Sequence, residues 1–227
     1  KMRQIFLDTE TTGLYPDQGH RIIEIAAVET INRRPTNHHY HQYINPEREI
    51  DAGAQEVHGI TLEFLQDKPL FEAIADDFLA FIKGAEVIIH NAPFDVGFLN
   101  SELGRLGLDP VQKCCDSITD TLKMAKDARP GQRNNLDALC RHFGIDNSRR
   151  TLHGALLDAE LLAEVYMALT RGQDSLMIDL EHEAPSQSNM VVSEGQVKLK
   201  VLMADEAEHA AHEAYLAGLG DTENPSW

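Results

Sequence analysis

No stretch of this 227-residue chain approaches the ~20 consecutive apolar residues of a membrane-spanning helix. The start, Lys1-Met2-Arg3-Gln4-Ile5-Phe6-Leu7-Asp8, meets a carboxylate too early for the core of a secretory signal, so none is expected. Cysteine is scarce. Cys114, Cys115 and Cys140 cannot all pair with one another and none stands in a Cys-x-x-Cys, which argues against a disulfide framework and a structural zinc and for a reducing, cytoplasmic setting. Cations are scarce too: 20 Lys and Arg against 37 Asp and Glu leave a net charge of −17. Such a chain is not one that coats nucleic acid by neutralising phosphates with its own side chains. Divalent ions held at a site would supply the missing charge locally. The deficit is uneven: residues 1–172 carry a net −8, and the last quarter, 173–227, a net −9. What is present, 42% hydrophobic and 25% charged residues, is ordinary for a folded soluble domain and excludes whole-chain disorder, collagen and fibre.

Apolar runs at Arg3–Asp8 and Ile22–Val28 read as strands, separated by the turn residues Gly13, Pro16, Asp17 and Gly19. His39–Ile44 reads as a third strand. Leu70, Phe71, Ile74, Phe78, Leu79, Phe81 and Ile82 recur at helical spacing. Glu86–His90 reads as a buried strand, broken by Asn91-Ala92-Pro93, with Pro93 opening a helix over 94–106. A strand near 113–117 and helices near 118–127, 134–143 and 154–170 complete a domain over 1–172. Strands first, then strands alternating with helices, predict an α/β fold with a mixed sheet. Cys114-Cys115 reads as a partly buried strand pair, and His38, His39 and His41 as solvent-facing rather than metal-binding. Residues 173–196 read as a linker. The acidic, Ala-rich 197–227 reads as a tail with too little apolar surface to fold alone, one that orders on a partner.

Four acids stand where acids are costly. Asp8 and Glu10 extend an apolar strand and, two apart, share one face, where they repel each other unless cations neutralise them. Asp95 falls in the first turn of its helix, a position the helix dipole favours, yet Phe98 and Leu99 give that face an apolar character. Asp158 has Ala155 and Leu162 as its i−3 and i+4 neighbours, and a carboxylate on an apolar helix face is expensive unless paired or metal-bound. His153 is the nearby base. Four carboxylates and one imidazole suit hard divalent ions rather than zinc, and two-metal phosphoryl chemistry needs such a set together with a base that titrates near neutrality. Arg129, Arg133, Arg141, Arg149 and Arg150 make 129–150 locally basic, a place for contacts to a nucleic-acid backbone.

The phrases Asp8-Thr9-Glu10-Thr11-Thr12-Gly13, His90-Asn91-Ala92-Pro93-Phe94-Asp95 and His153-Gly154-Ala155-Leu156-Leu157-Asp158 resemble the three exonuclease motifs of the DEDDh family. Arg133-Asn134-Asn135-Leu136-Asp137-Ala138-Leu139-Cys140 and Asp146-Asn147-Ser148 narrow the likeness to its proofreading branch in bacterial replication. The resemblance, close over about 1–172, implies an RNase H-like fold: a mixed five-stranded sheet flanked by helices, followed by the linker and tail. It implies two divalent metal ions, Mg²⁺ or Mn²⁺, held by Asp8, Glu10, Asp95 and Asp158, with His153 as general base. Substrate contacts would come from Asp8, Glu10, Asp158 and His58, the last in Val57-His58-Gly59-Ile60-Thr61. A family acid five residues before that histidine is Gly53 here. The implied partners are a DNA 3′ end, the polymerase alpha subunit through the C-terminal tail, and a small accessory core subunit. Gln173-Asp174-Ser175-Leu176-Met177-Ile178 is similar to the short peptides that dock into sliding clamps.

A stand-alone RNA-trimming nuclease would share this chemistry but has no need of a partner-binding tail. An aspartyl-phosphate phosphatase would want Asp at position 10 and a partner lysine, and leaves His153 and Asp158 without a role. A non-catalytic adaptor would not keep the full acid set. The expectation is a proofreading 3′→5′ DNA exonuclease.

Overall fold

A computed structural model describes residues 2–171; the expected linker, clamp-binding peptide and tail lie outside the described residues. The chain runs β1 (Arg3–Thr11), β2 (Ile22–Ile31), β3 (Arg34–Tyr43), α1 (Ala52–His58), α2 (Leu62–Leu65), α3 (Phe71–Ile82), β4 (Glu86–Ile89), α4 (Ala92–Arg105), β5 (Ser117–Asp120), α5 (Thr121–Ala128), α6 (Leu136–Phe143) and α7 (Ala155–Leu169). The five strands form one mixed sheet in the order β3-β2-β1-β4-β5. β1 pairs antiparallel with β2 and parallel with β4. The outer pairs are antiparallel β2–β3 and parallel β4–β5.

Alternation along β1 divides the core. Ile5 and Leu7 face one layer, filled by Phe71, Phe78, Phe81, Phe98 and Leu99 from α3 and α4. Phe6 faces the other, filled by Leu136 and Leu139 of α6 and by Leu161, Leu162, Val165 and Tyr166 of α7. Burying side chains of this size is worth roughly 1.5–3 kcal/mol each, so both layers are needed to hold the sheet. By the same alternation Asp8 and Glu10 belong to the α7 side and Thr9 to the α4 side.

β3 begins five residues earlier than its expected start, because Arg34–His38 form a polar edge whose exposed side chains carry no apolar alternation. The β2–β3 turn is Asn32-Arg33, both at positive φ (49° and 64°), the backbone a two-residue hairpin requires, here without the usual glycine. Helices α1 and α2 were not expected: α1 buries only His58, so its sequence shows no apolar stripe. The strand expected near 113–117 is displaced to 117–120, and 111–113 make a short 3₁₀ turn. Cys114 and Cys115 consequently sit half-buried just after that turn rather than in a strand, with the Cys115 thiol 3.4 Å from the Val111 carbonyl. Of the three histidines read as solvent-facing, His38 and His39 are exposed, whereas His41 Nε2 lies 2.7 Å from Glu24 Oε1.

Candidate active site

The last parallel pair between β1 and β4 is Leu7 with Ile89. Beyond it β4 turns away while β1 continues to Thr11, so Asp8, Thr9 and Glu10 project past the carboxyl edge of the parallel strands, where α/β folds place their ligands. The turn at β4 is made by Asn91, whose left-handed backbone (φ 69°, ψ 52°) reverses the chain into α4 and whose N–H donates to Asp120 Oδ1 at 3.1 Å. Asparagine tolerates this conformation better than most residues. The reversal brings Asp95, one turn into α4, back against β1, where Thr9 Oγ1 donates to Asp95 Oδ1 at 2.7 Å. Asp158 arrives from the other layer: it shares the buried face of α7 with Ala155, Leu161, Leu162 and Val165. The start of α7 is tied to β2 by the Ala155 N–H donating to Glu24 Oε2 at 3.2 Å.

Each hydroxyl of the Thr9–Thr12 segment has a separate task. Thr9 holds Asp95, Thr11 Oγ1 donates to the Gly13 carbonyl at 2.7 Å, and Thr12 Oγ1 meets His20 Nδ1 at 3.0 Å. The His20 ring lies so close to Gly13 that a β-carbon there would fall 2.3 Å from it, which explains the glycine.

The structure brings all six residues singled out from the sequence (Asp8, Glu10, His58, Asp95, His153, Asp158) to one cavity of about 840 Å³. Glu10, His153 and Asp158 offer ligand atoms within 4.8 Å of one another, with Asp8 and Asp95 lining the same cavity outside that trio. Burial, with Asp95, Glu10 and Asp158 close by, pushes the Asp8 carboxyl well above its ordinary value. Burial and then Asp158, Glu24 and Asp95 push Glu10 from 4.5 to about 8, and burial pushes Asp95 to about 7 against the hydrogen bond from Thr9. Glu10 also faces Glu24 directly across β1–β2, a cross-strand like-charge pair. Crowded oxygen donors that resist ionisation are what a divalent cation relieves, so the donor set fits hard metal ions. His58, closing α1, is 5% exposed and accepts from the Ile60 N–H at 3.0 Å; burial lowers its imidazole. Gly53 lines the cavity wall with open space where a side chain would stand.

Four residues at the site carried little or no signal in the sequence. Arg150, one of five arginines noted only for local charge, spans Asp158, Asp137 and His153. Asp137 stands in the first turn of α6, inside a motif read only for likeness. Thr9 and Glu24 act through hydrogen bonds that spacing does not reveal.

A stability trend follows from the crowding. Groups whose folded pKa is raised bind more protons folded than unfolded, so stability falls as pH rises through the gap. With a chelator present, the thermal midpoint should drop between about pH 4.5 and about 8, the interval over which Glu10 is shifted, and Mg²⁺ should flatten the drop. A metal-free midpoint that climbs over this interval would rule out mutual repulsion as the dominant charge effect.

The arrangement, a mixed sheet with acids from β1, α4 and α7 around one cavity, defines a nuclease. The family profile described as Exonuclease matches residues 5–166. The solved structures that resemble the chain include Exonuclease X in complex with 5′ overhanging duplex DNA, 26% identical with a TM-score of 0.58 over 77% of this chain and 93% of that one. The nuclease domain of 3′hExo, a DEDDh family member bound to rAMP, is 20% identical with a TM-score of 0.63, over 76% and 92%. The sheet and its flanking helices are thus the RNase H-like fold of these exonucleases. DNA polymerase III subunit epsilon of Escherichia coli is 50% identical over 94% of this chain and 92% of its own length. The Haemophilus influenzae subunit epsilon is 57% identical over 79% and 72%. The chain belongs to the exonuclease family, in its DNA polymerase III epsilon-subunit branch.

Proposed function

We propose that this protein is the proofreading 3′→5′ exonuclease subunit of a bacterial DNA polymerase III, acting in the cytoplasm on the 3′ end of a primer strand. The convergence of Asp8, Glu10, Asp95, Asp158 and His153 on one cavity carries the reading. In it, those four carboxylates would hold two divalent ions, Mg²⁺ or Mn²⁺. Such ions, when bound, would neutralise the acids and the scissile phosphate and would stabilise charge on the departing oxygen.

The chain's own groups do the rest. Thr9 keeps Asp95 aimed across the sheet end. Leu14, Val57 and Phe94 give the cavity an apolar wall for the terminal base and sugar, with His58 beside it. His153, 44% exposed at its side chain, faces solvent on one side and Asp158 on the other. Burial and then Arg150 lower its imidazole below the usual value, so it is neutral near pH 7, the form that can take a proton once a ring nitrogen is open to water. Water attacks the terminal phosphorus, its proton passes to His153, the bond to the 3′ oxygen breaks, that oxygen takes a proton from solvent, and His153 returns its proton to solvent. The products are a nucleoside 5′-monophosphate and a strand one residue shorter, ending in a 3′ hydroxyl.

A 3′-mismatched primer incubated with the full chain and Mg²⁺ tests this: one nucleotide at a time should leave as the 5′-monophosphate, faster from DNA than from RNA. Preference for RNA would transfer the assignment to a stand-alone RNA-trimming nuclease.

The reading extends to the rest of the chain: 1–172 as the nuclease domain, 173–196 as a linker, and 197–227 as the tail that binds the polymerase alpha subunit. Gln173–Ile178 would dock in the sliding clamp, and a small accessory core subunit is a further partner. A tether raises the local concentration of the nuclease toward the millimolar range without tight direct contact. Residues 1–172 should therefore remain an active nuclease yet fail to co-purify with alpha, and Gln173→Ala with Leu176→Ala should weaken clamp contact alone. Stable binding of the 1–172 fragment to alpha would sink the tail assignment.

A further inference from the structure

Arg150 is buried in the acidic cavity with its side chain 6% exposed. Its guanidinium takes both oxygens of Asp158, Nε to Oδ1 at 2.5 Å and Nη2 to Oδ2 at 2.6 Å. Nη1 lies 2.9 Å from Asp137 Oδ2, and Nη2 lies 2.9 Å from His153 Nδ1. A guanidinium has no acceptor and does not deprotonate in proteins, so it is the donor in the last contact. His153 is then neutral, with its lone pair at Nδ1 engaged and its proton on Nε2. In that state neither ring nitrogen is free to accept a proton from water, and Asp158 presents its oxygens to an organic cation.

We infer that Arg150 is an internal countercation that holds Asp158 and His153 out of reaction until divalent metal displaces it. The inference rests on the reading of Asp158 as a metal ligand and His153 as the base. Glu10, His153 and Asp158 mark out a space in which their ligand atoms lie within 4.8 Å of one another, and the guanidinium already bonds two of the three. A divalent ion placed there would meet a positive charge at a few ångströms in a poorly solvated cavity, a repulsion that expels one of the two. Arg150 stands in residues 145–154 between α6 and α7, which form no helix or strand, so no regular element need unwind when its side chain moves. Asp137, in the first turn of α6, gives the released fork an anchor at the cavity wall. There Arg150 becomes a positioning group for the incoming phosphate, a geometry guanidinium suits.

The test uses the full chain and metal alone, with Mn²⁺ binding followed by electron paramagnetic resonance. Arg150→Gln should bind Mn²⁺ about tenfold tighter than wild type, the effect of removing roughly one charge-assisted contact that competes with the ion. Arg150→Lys, which keeps the charge but cannot make the two-pronged contact with Asp158, should shift affinity the same way by less, and serves if Arg150→Gln does not fold. In the wild type, nitrogen-15 spectra of His153 should show the Nε2–H tautomer with an accepting Nδ1 under chelator, and loss of that hydrogen bond as Mg²⁺ is added. Unchanged or weaker Mn²⁺ affinity in both variants, or a His153 hydrogen bond that survives saturating Mg²⁺, would overturn the inference. Asp158→Asn separates the two layers of argument. If it loses Mn²⁺ affinity while the Arg150 variants are unchanged, only the countercation falls; if it binds Mn²⁺ as wild type does, the ligand reading falls with it.

Discussion

Replacing Asp8 or Asp158 by alanine should lower exonuclease activity by roughly three orders of magnitude or more, because divalent ions supply several kcal/mol of transition-state stabilisation and each 1.36 kcal/mol is tenfold in rate. The two variants should part company in stability. Asp8 is held against its inclination to ionise by burial and three neighbouring acids, so its removal relieves repulsion and should raise the thermal midpoint measured with chelator. Asp158 is paired with the buried Arg150, and its removal leaves that guanidinium with Asp137 and His153 alone. Breaking a buried pair costs on the order of 3–5 kcal/mol, here reduced by the remaining partners, so the Asp158→Ala midpoint should fall. Near-normal nuclease rates in either variant would refute the ligand assignment. Inactivity with the same midpoint shift in both would refute the electrostatic account.

His153→Ala should lose about 10²–10⁴-fold in rate, the usual worth of a positioned general base, while Mn²⁺ and DNA binding persist. The wild-type rate should rise with pH as the imidazole deprotonates and then level off. Burial lowers that imidazole; the further lowering by Arg150 belongs to the metal-free site and is lost from the rate profile once metal displaces it. The rising limb should disappear from the variant. Its survival would place the titrating proton on another group.

The architecture was legible in the sequence where a stripe or a run reaches the core. β1, β2, β4, α3, α4, α6 and α7 all bury apolar faces, and each was foreseen within a few residues. α1 and the first half of β3 were not, because both lie against solvent and leave no periodic trace. The acids were legible for the opposite reason: charges interrupting apolar runs need a cause. Placing Asp158 beside Leu162 on one helix face was enough to mark it, and α7 does bury both. Arg150 was hidden because an arginine in a basic, irregular stretch is ordinary. Only the fold shows that this one turns inward while Arg149, its neighbour, stays exposed with a 4.0 Å approach to Glu160.

The separation of the acids along the chain has a consequence for biosynthesis. Asp8 and Glu10 emerge from the ribosome first, Asp95 midway, and Asp158 only with α7, the last of the described elements. β1 gains its parallel neighbour only after residue 86, and the α7 layer must close over Phe6 and Ile88 before Asp158 reaches the sheet edge. Pairings of such long sequence separation form late and slowly, and N-terminal segments begin to organise while the chain is still being made. A copy that stops before α7 therefore carries Asp8, Glu10 and, once past α4, Asp95, but never the fourth acid. On the proposed reading, a copy that lacks α7 has neither Asp158 nor the layer that seats it, and should not cleave DNA.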